Sequence, residues 1–209
     1  MSRDTVKLSK ALSWLLRHGA EQEGIAIDSA GYVLLDDALH CRRLRGYSVE
    51  QVEGVVNGND KQRFHLKEKG RRKYIRANQG HSIASVREDA LLTRLDDSFA
   101  ESCPEVYHGT YRRFWSAIEA SGGLSRMSRN HIHLAAELPE RGGVVSGMRG
   151  SCDLIVTVDM RNAGIWQDME FYKSANGVIL TSGIDGILPL RYVAHVKDRA
   201  TGEVVYGSP

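Results

Sequence analysis

Several short runs of this 209-residue chain put cations and imidazoles where a ligand could meet them. In Gly123-Leu124-Ser125-Arg126-Met127-Ser128-Arg129-Asn130-His131-Ile132-His133-Leu134-Ala135, two arginines occupy an irregular segment, and two histidines then alternate with apolar residues. Alternation with period two is a strand signature, so His131 and His133 share one face. Guanidinium forks beside such a face describe a pocket for an anion. Tyr107-His108-Gly109-Thr110 repeats the design, with a histidine near a strand end and a glycine that lets a ligand approach the backbone. Ser174-Ala175-Asn176-Gly177 is a polar turn that runs into the apolar Val178-Ile179-Leu180. The pair His131 and His133 also has a metal-ligand spacing. No third ligand of Cys, Asp or Glu type lies near it in sequence, so neither zinc nor iron is expected.

The elements that must hold these residues follow from periodicity. Leu8, Leu12, Leu15 and Leu16 form one face of a helix that Arg17 and His18 close and Gly19 caps. Basic residues at a helix end also compensate its dipole, so Arg17 and His18 alone support two readings. Asp28-Ser29-Ala30-Gly31 is a turn, Tyr32–Leu35 a short strand, and Asp36 the cap of a brief helix through Leu39. Ser48 and Gln51 have capping-box spacing ahead of a helix whose Val49, Val52, Val55 and Val56 turn inward. Lys61–Leu66, a turn at Glu68-Lys69-Gly70-Arg71, and Lys73–Arg76 read as a β-hairpin.

Helices followed by a basic hairpin suggest a winged-helix-like module over residues 1–82. Lys61 to Arg76 hold eight Lys or Arg and one acid, Glu68; Arg42, Arg43 and Arg45 add a second cluster. That is the footprint of a phosphate-backbone binder, with Lys61, Lys69, Arg71 and Arg72 as the RNA-facing cations. Residues 83–104 turn acidic (Glu88, Asp89, Asp96, Asp97, Glu101) and read as a linker, partly helical around Leu91–Leu95. Residues 105–209 read as mostly β: strands at Glu105–His108, His131–Ala135, Leu154–Asp159, Gly177–Thr181, Tyr192–Val196 and Val204–Tyr206. One helix, Tyr111–Ala120, should bury Phe114, Trp115 and Ile118. Arg141–Gly150 is a glycine-rich loop, and no strand is followed by GxGxxG, which excludes a Rossmann-type dinucleotide site.

Composition adds limits. Apolar residues at 42% and charged residues at 26% are ordinary for a core-burying protein, an α+β one here. Three cysteines without a CxxC give neither a disulfide framework nor a zinc knuckle. The N-terminus is polar and no apolar run approaches the roughly 18 residues of a span. An intracellular, cytoplasmic (or, in a eukaryote, nuclear) monomer with no membrane partner is the expectation.

The order and wording of these blocks resemble the NAD-dependent RNA (tRNA) 2′-phosphotransferase family. The likeness runs through Leu8-Ser9-Lys10-Ala11-Leu12-Ser13-Trp14-Leu15-Leu16-Arg17-His18, Asp60-Lys61-Gln62-Arg63-Phe64 and Ile75-Arg76-Ala77-Asn78-Gln79-Gly80-His81-Ser82, then the three blocks above. It implies that residues 105–209 form an ADP-ribosyltransferase-like split β-sandwich that binds NAD, consumed as co-substrate. It maps the family's catalytic group onto Arg17, His18, Arg63 and Arg129, and leaves Arg126 a surface or RNA-facing role. For NAD it implies His108, Gly109, Thr110, His133, Arg149 and Asn176, with Phe171 or Tyr172 as a stacking surface. Relatives of that fold carry a glutamate on the strand where Val178 stands here. A terminal phosphate is already anionic at neutral pH and needs no general base, so this departure suits a phosphate nucleophile.

The reaction so implied transfers the 2′-phosphate of spliced tRNA to NAD. It yields 2′-OH RNA, nicotinamide and ADP-ribose 1″,2″-cyclic phosphate, through an RNA-2′-phospho-ADP-ribose intermediate. Two alternatives are an ADP-ribosyltransferase acting on nucleic-acid terminal phosphates or proteins, and a non-catalytic RNA-binding protein. The presence of Arg17, His18, Arg63 and Arg129 argues against the latter.

Overall fold

The leucine stripe near the N-terminus winds into α1 (Arg3–Trp14), which continues as one π-helical turn, Leu15–Gly19. The computed structural model describes residues 3–87, 90–139 and 146–207. Its chain divides into two compact units, Met1–Leu91 and Leu92–Pro209.

In the first unit β1 (Val33–Leu34), α2 (Leu35–His40) and α3 (Val49–Asn57) precede the hairpin of β2 (Phe64–Lys69) and β3 (Arg72–Ala77). The strands form an antiparallel sheet in the order β1-β3-β2. Leu8, Leu12, Leu15, Leu16, Val52, Val55, Phe64 and Ile75 share one core, each fully buried aliphatic or aromatic side chain contributing roughly 1.5–3 kcal/mol. α3 begins as its sequence dictates: the Ser48 hydroxyl accepts from the Gln51 amide, and the Gln51 side chain accepts from the Ser48 amide.

Two local expectations fail here. Asp36 lies inside the first turn of α2, whose cap position is Leu34 with no side-chain cap bond. Gly19 does not end its helix in a left-handed conformation. It belongs to the π-turn, where a Cβ would come within 2.4 Å of the Trp14 ring, so contact with the indole is what requires glycine.

The second unit is built on an eight-stranded antiparallel sheet. It contains β4 (Thr93–Leu95), β5 (Glu105–Thr110), β7 (Ile132–Ala135), β8 (Leu154–Asp159), β9 (Phe171–Lys173), β10 (Val178–Thr181), β12 (Val193–Asp198) and β13 (Val204–Gly207). Their order is β13-β12-β8-β5-β7-β10-β9-β4. A separate ribbon pairs β6 (Gly123–Ser125) with β11 (Ile187–Pro189), and α4 (Phe99–Ser102), α5 (Arg112–Ala120) and α6 (Ala163–Asp168) complete the unit. Val106, Trp115, Leu134, Leu154, Val156, Phe171, Ile179 and Val196 make its core.

The fold class is thus mixed α/β with one large antiparallel sheet. Part of the segment read as a linker is structured: Leu91–Leu95, expected to be partly helical, supplies the edge strand β4, whereas Glu88 and Asp89 lie outside the described residues. Residues 141–145 of the glycine-rich loop also lie outside them. α5 buries Trp115 but leaves Phe114 47% exposed, because these neighbours point about 100° apart and only Trp115 and Ile118 share the inward stripe. No helix among the described residues is long and apolar enough to cross a membrane.

Candidate functional site

In the second unit the site is shaped by a parting of strands. β5 pairs with β8 along its whole length but registers with β7 only at Tyr107 opposite Ala135. Beyond that pair the ring of His108 takes over, its Nδ1 donating to the carbonyl of His133 at 2.9 Å. His133 donates from Nδ1 to the carbonyl of His131 at 3.1 Å. A carbonyl can only accept, so both imidazoles are Nδ1–H tautomers when neutral and present Nε2 as an acceptor. The alternation in β7 holds, yet His131 and His133 are both buried, since this is an inner strand. The His131 ring lies edge-on to Tyr172 with centroids 6.1 Å apart.

Arg129 stands on the loop before β7, half-buried and without an ion-pair partner among the described residues. Burial holds its pKa below the usual arginine value, and the nearby Arg149 pushes the same way. Burial also pushes the His108 imidazole down, with smaller contributions from Arg149 and Arg129, while the bond to His133 opposes it. Arg149 reaches Tyr111 as well, whose hydroxyl shares a 2.7 Å hydrogen bond with Ser151. Among the described residues no carboxylate forms an ion pair with Arg129 or Arg149. An arginine whose pKa a second arginine lowers, beside an imidazole pushed towards its neutral form, is an environment that favours an anion.

Arg126 is exposed but turned inward on its own loop. Its Nη1 donates to the Arg129 carbonyl at 2.6 Å and its backbone N–H to the Gly186 carbonyl at 2.9 Å. Met127, between the two arginines, has φ +56°, and its amide donates to the Ser125 hydroxyl at 3.0 Å. The loop that carries Arg129 is therefore braced by Arg126, a role the sequence did not suggest.

The remaining residues named from sequence divide. Gly109 is needed for a close approach, though from the protein itself: a Cβ there would lie 2.7 Å from Cys152 Sγ and from Met148 Cγ. Thr110 is buried beside it at the end of β5. Asn176 accepts at Oδ1 from the Ser174 hydroxyl at 2.8 Å, which shapes the turn into β10. Of the two candidate stacking rings, Phe171 is fully buried and packs on Trp166, whereas Tyr172 is half-buried with its hydroxyl donating to Glu170 at 2.6 Å. A concavity of about 630 Å³ lined by Arg94, Asp97, Arg161 and Trp166 includes none of these residues.

In the first unit the π-turn carries Arg17 and His18. The Ser82 backbone donates to the Arg17 carbonyl at 2.9 Å, and its hydroxyl lies 2.8 Å from His18 Nδ1. Arg63 is held at both ends by one oxygen: Asn59 Oδ1 accepts from its Nη1 at 3.1 Å and from its backbone N–H at 3.4 Å. Asn78 closes the loop from the other side, its Nδ2 donating to the Gln62 carbonyl at 2.6 Å and its amide to the Arg63 carbonyl at 2.9 Å. Gln62 is bent to φ +43° between them. Burial lowers the Arg63 pKa, opposed in part by Asp60. Asn59, Asn78 and Ser82 were missed in the sequence as site residues. Asn78 and Ser82 were visible only as letters of a motif, and Asn59 not even so. The hairpin cations Lys69, Arg71 and Arg72 are exposed, and Lys61 is half-buried. No three His, Cys, Asp or Glu side chains among the described residues could together hold a metal ion.

Arginines beside imidazoles in one unit, and a basic hairpin in the other, are features that suit phosphorylated ligands. The model of the RNA 2′-phosphotransferase, Tpt1/KptA family matches residues 3–183, and the chain belongs to that family. A Danio rerio protein named tRNA 2′-phosphotransferase 1 is 46% identical over 199 residues, 94% of this chain and 86% of its own. The Saccharomyces cerevisiae tRNA 2′-phosphotransferase is 40% identical over 183 residues, 86% of this chain and 79% of its own. A Schizosaccharomyces pombe relative is 45% identical over 202 residues, and the chain spans 53% of that protein's length.

Proposed function

We propose that this chain removes the 2′-phosphate from RNA, spliced tRNA in particular, by transferring it to NAD. The observation that carries the reading is the half-buried Arg129, set beside Arg149 and His108 with no carboxylate paired to it among the described residues. A phosphate dianion is the ligand such a site stabilises most. In this reading residues 1–82 form a winged-helix-like RNA-binding domain and 105–209 an ADP-ribosyltransferase-like domain. The helix–strand order and the basic hairpin support the first, and the parting of β5 from β7 supports the second.

NAD fits the donor set. The Nε2 acceptors of His108 and His133 suit ribose hydroxyls, Arg149 suits the pyrophosphate, Tyr172 offers a ring, and Gly109, Thr110 and Asn176 offer polar groups. In the first step an oxygen of the RNA phosphate bonds to the ribose carbon that bears nicotinamide, and nicotinamide leaves with the electron pair. In the second the neighbouring ribose hydroxyl attacks phosphorus, and the RNA 2′-oxygen leaves and takes a proton. Arg17, Arg63 and Arg129 hold phosphate oxygens through their planar forks. His18, whose Nδ1 shares a 2.8 Å hydrogen bond with the Ser82 hydroxyl, is the group that moves that proton. Lys61, Lys69, Arg71 and Arg72 bind the RNA.

Incubation with NAD and a short 2′-phosphorylated RNA in EDTA should release nicotinamide and 2′-OH RNA in equal amounts. Phosphate loss without nicotinamide release, or activity restored only by zinc or magnesium, would sink the reading.

A further inference from the structure

The hairpin register sorts its cations onto two faces that differ in chemistry. His65 lies opposite Arg76, Lys67 opposite Tyr74 and Lys69 opposite Arg72, so these six side chains share the outward face. Phe64, Leu66 and Ile75 point the other way, into the core, and with them goes Lys73. Lys73 is neutralised there: it makes an ion pair with Glu53, and Glu68 and Glu50 add to the field that raises its pKa. Among the described residues the one acid paired with the outward cations is Asp28, with Oδ2 3.9 Å from Lys67 Nζ. Lys69 and Arg72 are exposed, and among the described residues neither has an ion-pair partner. The Nε of Arg76 is buried and meets no acceptor among the described residues.

From this partition we propose that Lys67, Lys69, Arg72 and Arg76 form a docking surface for the phosphate backbone of a base-paired RNA segment. The inference rests on the RNA reading above and names which part of an RNA this face takes. The two tyrosines of this face weigh against single strands, Tyr74 being only partly exposed with Lys67 Nζ 5.8 Å from its centroid. Tyr32 is only 8% exposed, and its ring is covered by Lys67, with Nζ 3.4 Å from the centroid, and by Arg76, with Cζ 4.9 Å away. Its hydroxyl shares a 2.7 Å hydrogen bond with Nδ1 of His65, an imidazole whose pKa burial, Arg76 and Lys67 lower. A ring capped by the protein's own cations has no face left for a base, whereas single-strand binders work by stacking bases on open rings. What the surface presents is charge in two rows, which fits the shape- and phosphate-based recognition of double-stranded RNA.

The test compares two ligands that share a 2′-phosphorylated loop sequence, one closed by a stem and one linear, over a salt series. In K69A/R72A, affinity for the stem-loop should fall about tenfold and the slope of log affinity against log salt should drop by roughly one per cation removed. The linear strand should lose several-fold less. K73A changes the charge on the inner face and should leave both ligands as in the wild type. Circular dichroism and melting should show the double variant folded. An unchanged salt slope, an equal loss on the linear strand, or lost binding only to phosphatidylserine vesicles would overturn the proposal. If the wild type bound the stem-loop with this slope but released no 2′-phosphate, the catalytic reading would fail and the docking surface would stand.

Discussion

Arg63 in the first unit is gripped by its side chain, and Arg129 in the second by its backbone. Around Arg63 the Asn59 oxygen takes both the guanidinium and the main-chain amide. Around Arg129 the brace from Arg126 ends on the carbonyl, and what meets the guanidinium is the repulsion of Arg149. Both are depressed by burial, but Asp60 eases the cost at Arg63, whereas at Arg129 no acid among the described residues does so. In the proposed reaction that difference becomes one of role. A clamped fork contributes direction, because its two N–H vectors are fixed before a phosphate arrives. A crowded cation contributes potential, because an anion relieves a repulsion already present.

The largest effects should come from removing either cation. Arg63→Ala and Arg129→Ala should each lower turnover of a 2′-phosphorylated RNA by about 10²–10³-fold, as loss of one anion-stabilising donor does elsewhere. The lysine variants separate the two roles. Arg63→Lys should rescue little, since an ammonium cannot reproduce a fixed fork, whereas Arg129→Lys should recover most of the loss. In the second step negative charge builds on phosphorus-bound oxygens, so Arg63→Ala should also let the RNA-phospho-ADP-ribose adduct accumulate. A gel of labelled RNA would show it as a slower band. Equal rescue at both positions would collapse the distinction.

A smaller effect tests the clamp itself. Asn59 is 5% exposed and neutral, so it orients Arg63 without consuming its charge. Asn59→Ala should cut kcat about tenfold, the equivalent of one hydrogen bond of about 1.4 kcal/mol, with little change in KM for NAD. Asn59→Asp keeps the acceptor geometry but pairs the guanidinium with a carboxylate, and should also be slower than the wild type. A fully active Asn59→Asp enzyme would mean that orientation alone matters at Arg63.

What could be read in the sequence was what neighbours in the sequence decide. The Ser48 capping box, the hairpin around Gly70 and the apolar strand Leu154–Asp159 depend on residues within a turn or two of each other. The family likeness was also legible, because its blocks are contiguous. The strands β4, β6, β9 and β11 were not. Each has three residues, too few for a period, and its partner is distant, as in Leu95 with Phe171 or Gly123 with Pro189. Asn59 was hidden for the same reason as the Arg126 brace. An asparagine or arginine in a loop acquires meaning from the atom it reaches, and no local pattern records that. Phe114 is exposed because it lies off the inward stripe of α5, which its aromatic character alone does not reveal.

The mildest prediction concerns pH and compares the units through their histidines. Burial depresses the imidazole of His108 in one and of His65 in the other, and neighbouring cations deepen both shifts. When a folded histidine binds its proton less readily than the unfolded chain, the unfolded state takes up more protons as pH falls. The stability gained from a neutral imidazole is therefore full above the ordinary histidine value of about 6.5 and is lost as pH drops towards and through the lowered one. The enclosed His108, which faces Arg129 and Arg149, should dominate in the second unit. In a Trp14→Phe background the fluorescence comes from Trp115 and Trp166, both in that unit. Its melting midpoint should fall by a few degrees between pH 7.5 and 5.5. His108→Asn can still offer a side-chain N–H to the His133 carbonyl but cannot titrate, so it should flatten that dependence, whereas His65→Asn should leave it in place. A dependence that survived His108→Asn would place the titrating group elsewhere and remove the electrostatic argument for a neutral acceptor beside the paired arginines.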